Sequence, residues 1–158
     1  MRPKLISLRR LLSLRRAWAR EGKRVVFTNG VFDILHPGHV DLLARARGRG
    51  DILVLGLNED VSVRMLGKGA DRPINTFKDR AGVLQGLEAV DWIVGFKEKT
   101  PERLLSRLKP DVLVKGADYA PSQVAGARHA RRVALLPLKK GYSTTKLVER
   151  LRRGISVL

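Results

Sequence analysis

The sequence predicts an α/β fold, a three-layer sandwich in which helices flank a five-stranded parallel sheet. Three observations lead to it. Apolar runs of strand length recur five times, at residues 25–27, 51–57, 91–94, 111–116 and 132–137. Helical patterns separate these runs, so each strand returns to the sheet by a crossover. The first run also ends in a glycine-containing turn that opens a helix: Thr28-Asn29-Gly30-Val31-Phe32-Asp33-Ile34-Leu35-His36-Pro37-Gly38-His39. Strand, turn and helix start in that order form the first half of a Rossmann-like nucleotide-binding unit.

The turn carries the first candidate site. Pro37 suits the first turn of a helix, where its missing N–H costs nothing. A helix beginning there can place His36 and His39 on one face. That face adjoins free backbone N–H groups and the positive end of the helix dipole, which together attract anions. One histidine at a turn is ordinary. Two of the chain's three, flanking Pro-Gly after Asn-Gly-x-Phe-Asp, point to imidazoles that donate hydrogen bonds to phosphate oxygens.

The bulk numbers set the limits. A chain of 158 residues with 44% apolar residues fits one domain over 1–158 with a sizeable core. It has no cysteine, which rules out disulfides, cysteine metal sites and thiol nucleophiles and suits a reducing cytoplasm. No apolar run approaches the roughly 18 residues needed to span a bilayer. The net charge of +17 attracts polyanions of any kind and does not by itself identify one. Aromatics are only 5% and do not interleave with a basic stripe, which argues against nucleic acid as the partner.

Along the chain, residues 7–20 read as an amphipathic helix with Leu8, Leu11, Leu12 and Leu14 among arginines. An acid-free, arginine-rich start also suits a presequence or a membrane-surface helix. Because it runs directly into the first strand, a helix packed on the sheet and covering one edge is the preferred reading for residues 1–21. After the second strand, residues 67–73 form a glycine-rich basic loop, in which Lys68 and Arg72 can close over phosphate oxygens as a flap. The alternative is a solvated loop.

Thr76-x-x-Asp79 reads as a helix start, with the helix continuing to about residue 89. Arg80 lies in its first turn, where a cation opposes the dipole and needs a partner, either a structural carboxylate or a ligand. Thr100-Pro101-Glu102 reads as a capped start with proline at the first helical position.

Lys115 stands at the carboxyl end of the fourth strand, an expensive place unless it meets an anion. Gly116 beside it lets a planar group approach the backbone. His129 is given no role. Ser143, Thr144 and Thr145 follow Gly141 and open the last helix, through about residue 153, as a second phosphate cradle. Both cradles follow strand ends, so they can share one crevice.

At these residues the chain resembles the cytidylyltransferase-like nucleotidyltransferases, whose signature is an early His-x-x-His and a late Ser-Thr-Thr. Within them it is most similar to the adenylyltransferase branch of ADP-heptose synthesis. Residues 28–36, Arg72-Pro73-Ile74-Asn75, Leu87-Glu88-Ala89-Val90-Asp91-Trp92, residues 113–119 and Gly141-Tyr142-Ser143-Thr144-Thr145 carry that likeness. Leu138 and Ala89 stand where the glycerol-phosphate relatives carry arginine, which argues against that branch.

The resemblance implies that D-glycero-D-manno-heptose 1-phosphate attacks the α-phosphorus of ATP, giving ADP-heptose and pyrophosphate for lipopolysaccharide-type glycans. It implies a cytoplasmic homodimer and a separate upstream heptose kinase, this chain being a stand-alone form. It assigns His36, His39 and Lys68 to catalysis. Asn29, Gly30, Val31, Phe32, Asp33, Gly116, Asp118, Ser143, Thr144 and Thr145 go to nucleotide binding, and Arg72, Arg80 and Lys115 to substrate binding, Lys115 at the sugar phosphate. Asp33 orients the turn or a magnesium shell. Mg²⁺ rides on the triphosphate, so no protein metal site is assigned. A related acceptor or nucleotide, such as glycerol 3-phosphate with CTP, is the enzymatic alternative, and a basic nucleic-acid-binding protein the non-enzymatic one.

Overall fold

The computed structural model describes residues 2–117, 120 and 123–154. Five strands, β1 Val25–Gly30, β2 Ile52–Asn58, β3 Trp92–Phe96, β4 Val112–Gly116 and β5 Arg132–Leu136, form one parallel sheet in the order β3-β2-β1-β4-β5. The α-helices are α1 Leu8–Arg20, α2 Pro37–Arg47, α3 Asp60–Met65, α4 Phe77–Gln85, α5 Glu102–Leu108 and α6 Thr144–Arg152.

Helices on both faces explain why the strands are apolar at successive positions, with β2 buried at every residue. Alternate side chains serve opposite layers. Val26, Leu53, Leu55, Leu57, Val112 and Val114 pack with Leu43 and Ala46 of α2 and Ala81 and Leu84 of α4. Val25, Phe27, Val54, Val94 and Leu113 pack with Leu11 and Trp18 of α1 and with Leu104, Leu105 and Leu108 of α5. Gly56 lets the Phe27 ring lie across the neighbouring strand, since a Cβ there would stand 2.5 Å from Phe27 Cζ.

The amino-terminal segment differs from the expectation of a helix over a sheet edge. Leu11 and Trp18, seven residues apart, turn α1 onto the sheet's face beside α5. Residues 4–6 meet the edge instead, through Ile93 N–H to Lys4 O at 2.8 Å and Ile6 N–H to Ile93 O at 2.9 Å. An extended segment can satisfy an edge strand's free N–H and C=O groups; a helix cannot.

Two boundaries also moved. Gly86 ends α4 well before residue 89. Pro101 is the N-cap of α5 rather than its first residue, and no side chain caps that start.

The connection order creates the crevice. The chain steps outward from β1 to β2 and β3, then crosses to β4 and β5 on the other side of β1. The turns after β1 and β4 therefore diverge at their carboxyl ends, the place where open α/β sheets receive ligands. Among the described residues no helix is long and apolar enough to cross a membrane.

Leu55 is fully buried in the middle strand layer. Leu55→Ala is expected to lower the unfolding free energy by about 2–5 kcal/mol, the range for a large-to-small core change, read from urea denaturation.

Candidate active site

The first turn is built around a buried carboxylate. Both oxygens of Asp33 are engaged, accepting from Arg72 Nε at 2.6 Å, Ile74 N–H at 2.9 Å and Asn75 N–H at 2.8 Å. Asn75 Nδ2 donates back to the Asp33 carbonyl. Burial pushes the Asp33 pKa up, but the two backbone donors and the Arg72 guanidinium outweigh it and hold the group below its ordinary value. Asp33 thus ties the turn to the 72–75 loop, the arrangement expected of a residue that orients the turn.

Arg80 is likewise committed to structure. Its side chain is fully buried, with Nε donating to Asn75 O at 3.0 Å, Nη1 to Val31 O at 2.7 Å and Nη2 to Asp60 Oδ1 at 2.7 Å. This corrects its placement among substrate contacts: the partner of the first-turn cation is a carboxylate at the start of the preceding helix. Arg72 is also mostly buried and gives its Nε to Asp33. Together the two arginines hold Val31 and Asp33, the walls of the turn.

Phe32 adopts φ 49°, left-handed backbone that a bulky residue enters only under constraint. The constraint is its buried ring, which lies over Gly30; a Cβ on Gly30 would sit 2.8 Å from Phe32 Cε2. The same ring tilts against His39, with centroids 5.0 Å apart.

The two imidazoles stack at 3.7 Å with 14° between planes. His36 is the N-cap of α2, and its Nδ1 accepts from the His39 N–H at 3.3 Å. Accepting at Nδ1 puts the neutral ring's proton on Nε2, which leaves that atom a donor. The cap takes the His39 N–H and Pro37 has none, so the first-turn amide remaining for a ligand is that of Gly38. Burial lowers the His36 pKa. His39 is pushed down to about 4, first by burial, then by His36 and Lys68, against an opposing contribution from the Ile34 carbonyl. Its Nδ1 is buried without a hydrogen-bond partner, as is Asn29 Oδ1 at the end of β1.

Two lysines complete the cationic side. Lys115, at the end of β4, is pushed down to about 8 by burial and by the charge of Lys68. Lys68 itself is held below its ordinary value by desolvation and by Arg72. Lys68 thus makes itself felt at both His39 and Lys115, so the 67–73 loop brings its charge to the same crevice as the early turn and the β4 end.

The late cradle lies on the same side. Ser143 caps α6, accepting from the Lys146 N–H, and Thr144 and Thr145 occupy the first helical positions. Tyr142, one residue before the cap, stacks on His36 with centroids 5.9 Å apart. A Cβ on Gly38 would meet Tyr142 Cβ at 3.0 Å, so the two helix starts touch. Farther along, α6 faces the flap loop across a cavity of about 480 Å³ lined by Asp71, Pro73, Ile74, Val148, Leu151 and Arg152. Arg152 pairs there with Asp71.

Leu138 lies over Gly116: a Cβ there would stand 2.9 Å from Leu138 Cδ2. Asp118 lies outside the described residues. Sequence reasoning missed Tyr142, Asn75 and Asp60. Tyr142 had a signal, its position directly before Ser-Thr-Thr, and Asn75 another, its place in the Arg72-Pro73-Ile74-Asn75 block; Asp60 had none beyond the unexplained first-turn arginine. Among the described residues no group of three or more His, Asp or Glu side chains is placed to hold a metal ion.

Comparison with known proteins places these features in a wider set. The family profile described as cytidylyltransferase-like matches residues 27–153. The bifunctional protein HldE of Azotobacter vinelandii is 52% identical over 147 residues, 90% of this chain and 31% of that protein. The bifunctional protein HldE of Helicobacter acinonychis is 48% identical over 152 residues, 96% of this chain and 32% of that protein. The chain thus spans about a third of the length of these curated relatives.

Among solved structures, the lipopolysaccharide core biosynthesis protein of Thermoplasma volcanium superposes with a TM-score of 0.65 at 26% identity, covering 75% of this chain and all of that one. Pantothenate synthetase from Thermus thermophilus superposes at 0.63 with 18% identity, covering 92% of this chain and 67% of that one, a likeness of fold alone.

Two outcomes follow from the geometry. Asp33→Asn leaves the Arg72 guanidinium buried without its carboxylate and is expected to cost about 3–5 kcal/mol in chemical denaturation. His39 titrates lower folded than unfolded, so the unfolded chain binds the extra proton. Its contribution to stability is therefore complete above pH 6.5 and is lost as pH falls toward about 4. The thermal midpoint should decline through that window, and His39→Gln should flatten the decline.

Proposed function

The chain belongs to the cytidylyltransferase-like family, and on that footing we propose that it transfers the adenylyl group of ATP to D-glycero-β-D-manno-heptose 1-phosphate, releasing pyrophosphate. The observation that carries this reading is the contact between the two helix starts. It sets the stacked His36–His39 pair beside Ser143, Thr144 and Thr145 at the carboxyl ends of the strands. The likeness to proteins named bifunctional protein HldE and to a lipopolysaccharide core biosynthesis protein supports a glycan precursor as product. A heptose kinase would supply the 1-phosphate.

The chemistry asks little of a base. The acceptor phosphate is already anionic at neutral pH and attacks the α-phosphorus. A new P–O bond forms as the α–β bridging P–O bond breaks, and the electron pair leaves on pyrophosphate. Catalysis is then alignment plus neutralisation of charge gathering on the α-phosphate and on the leaving group.

Each residue takes a part in that. His36 donates from Nε2 to the phosphates in front of α2, with the Gly38 amide beside it. His39 sits in the α-phosphate region, where an arriving anion offsets the burial that keeps its pKa low. The backbone of Gly30, Val31 and Phe32 carries the bend of the triphosphate. Ser143, Thr144 and Thr145 receive the β/γ end, and Lys68 closes over the phosphates. Lys115 meets the acceptor phosphate from the end of β4. Asn29 Oδ1, buried without a partner, supports a role for Asn29 in nucleotide binding. Mg²⁺ would be held by phosphate oxygens, where it shields their charge; the committed Asp33 carboxylate offers it no ligand.

The test is a pyrophosphate-release assay over a small grid of nucleotides and sugar phosphates. ATP with heptose 1-phosphate is expected to give the highest turnover, and CTP with glycerol 3-phosphate none. His36→Ala or His39→Ala should each cut kcat by about a hundredfold or more, the scale for losing a donor to a transition-state oxyanion. Full turnover in both variants would remove the mechanism.

A further inference from the structure

Five side chains form a continuous column through the site. Phe32 lies against His39 at 5.0 Å, His39 against His36 at 3.7 Å and His36 against Tyr142 at 5.9 Å, and Lys139 Nζ stands 5.7 Å from the centre of the Tyr142 ring. The inner end is buried and held by the strained Phe32 backbone. The outer end is a tyrosine that is 43% exposed, with no hydrogen bond from its hydroxyl among the described residues.

Tyr142 stacks on His36 and has no ring contact with His39, so its ring meets only one imidazole of the pair. An exposed ring gains little from burial, so its place is set by what it stacks on. Gly38 makes room for it, since a side chain there would collide with both Tyr142 and His36.

Two other ties hold the late segment, and both lie away from the start of α6. Residues 137–143 join β5 to α6; Arg45 Nη2 donates to Pro137 O at the beginning of that loop, and Arg152 at the end of α6 pairs with Asp71. Tyr142 immediately precedes the cap Ser143, so a ring closed over His36 places Ser143, Thr144 and Thr145 against the start of α2. We propose that Tyr142 is a positioning residue: by stacking on His36 it fixes the imidazole plane and docks the α6 hydroxyl cluster onto the first phosphate turn, completing one triphosphate site from two distant segments. The ring does this, not the hydroxyl. The inference rests on the reading of this crevice as a triphosphate site and adds a residue to which that reading gave no part.

The experiment compares wild type with Tyr142→Phe, Tyr142→Leu and Tyr142→Ala in three readouts. Calorimetric binding of ATP, with Mg²⁺ and without acceptor, should weaken about five- to tenfold in the Leu and Ala variants, the scale of one aromatic contact, and stay within about twofold in Phe. NMR titration of the His36 ring, identified by its loss in His36→Gln, should show its pKa rising toward 6.5 in Leu and Ala as water reaches the uncovered face. His39, stacked on that ring, and Lys139, beside the Tyr142 ring, remain in all variants.

Steady-state rates should show a lowered kcat/KM for ATP in Leu and Ala, with KM for the acceptor unchanged and Phe restoring it. A Leu or Ala variant equal to wild type in ATP affinity and in the His36 titration overturns the proposal. So does a Phe variant as impaired as Ala. Should wild type release no pyrophosphate with any acceptor, the functional reading fails; ATP binding and the His36 titration still decide the role of Tyr142.

Discussion

The buried carboxylate of Asp33 is the constraint on which the site depends. It takes two backbone amides and one guanidinium from the 72–75 loop while its own main chain forms the bend after β1. A carboxylate removed from water is unfavourable unless its lone pairs are filled, and three donors meet that demand. The carboxyl end of the 67–73 loop is therefore tied to the turn that leads to His36. Arg80 extends the same frame by joining the Val31 and Asn75 carbonyls to Asp60. Arg72 through its Nε and Arg80 through all three of its nitrogens brace the first turn.

In front of that frame the chain gathers like charges. Burial lowers the pKa values of His39, Lys68 and Lys115, and the charge of Lys68 adds to it at His39 and Lys115. Such an arrangement lowers the stability of the empty protein. It also provides a field that strengthens once a polyanion arrives, because the desolvated groups then gain the partner they lack. The strained Phe32 and the unpaired Asn29 Oδ1 and His39 Nδ1 fall in the same short stretch of chain. Strain and unmet polar groups collect where ligand contacts, not folding, set the requirements.

The large positive charge divides into parts with different causes. Arg15 donates to the Leu108 and Lys109 carbonyls at the end of α5, and Arg47 to the Gly50 carbonyl just past α2. These cations answer the negative ends of helices, which in a parallel α/β fold all gather at the amino ends of the strands. A cavity of about 630 Å³ at that end is lined by Arg15, Lys23, Arg24, Arg49, Arg131 and Arg132 around Asp111. Much of the surplus therefore lies on the side of the sheet away from the imidazoles.

The layers and the two helix starts were legible from local pattern. Five apolar runs with helical intervals specify a parallel sheet, because period and length are local properties that each segment carries alone. Pro37 and Ser143 mark helix starts for the same reason: a missing N–H and a capping hydroxyl act within three residues. Pairings across long stretches of chain were legible only in the folded molecule. Nothing near Asp33 announces Asn75, nothing near Arg80 announces Asp60, and nothing near Gly116 announces that Leu138 would cover it. Nor does the pattern around residue 5 reveal a bridge to Ile93. Hydrogen-bond satisfaction and close packing are settled between surfaces brought together by the whole fold, and one segment's pattern holds no record of which surface it will meet.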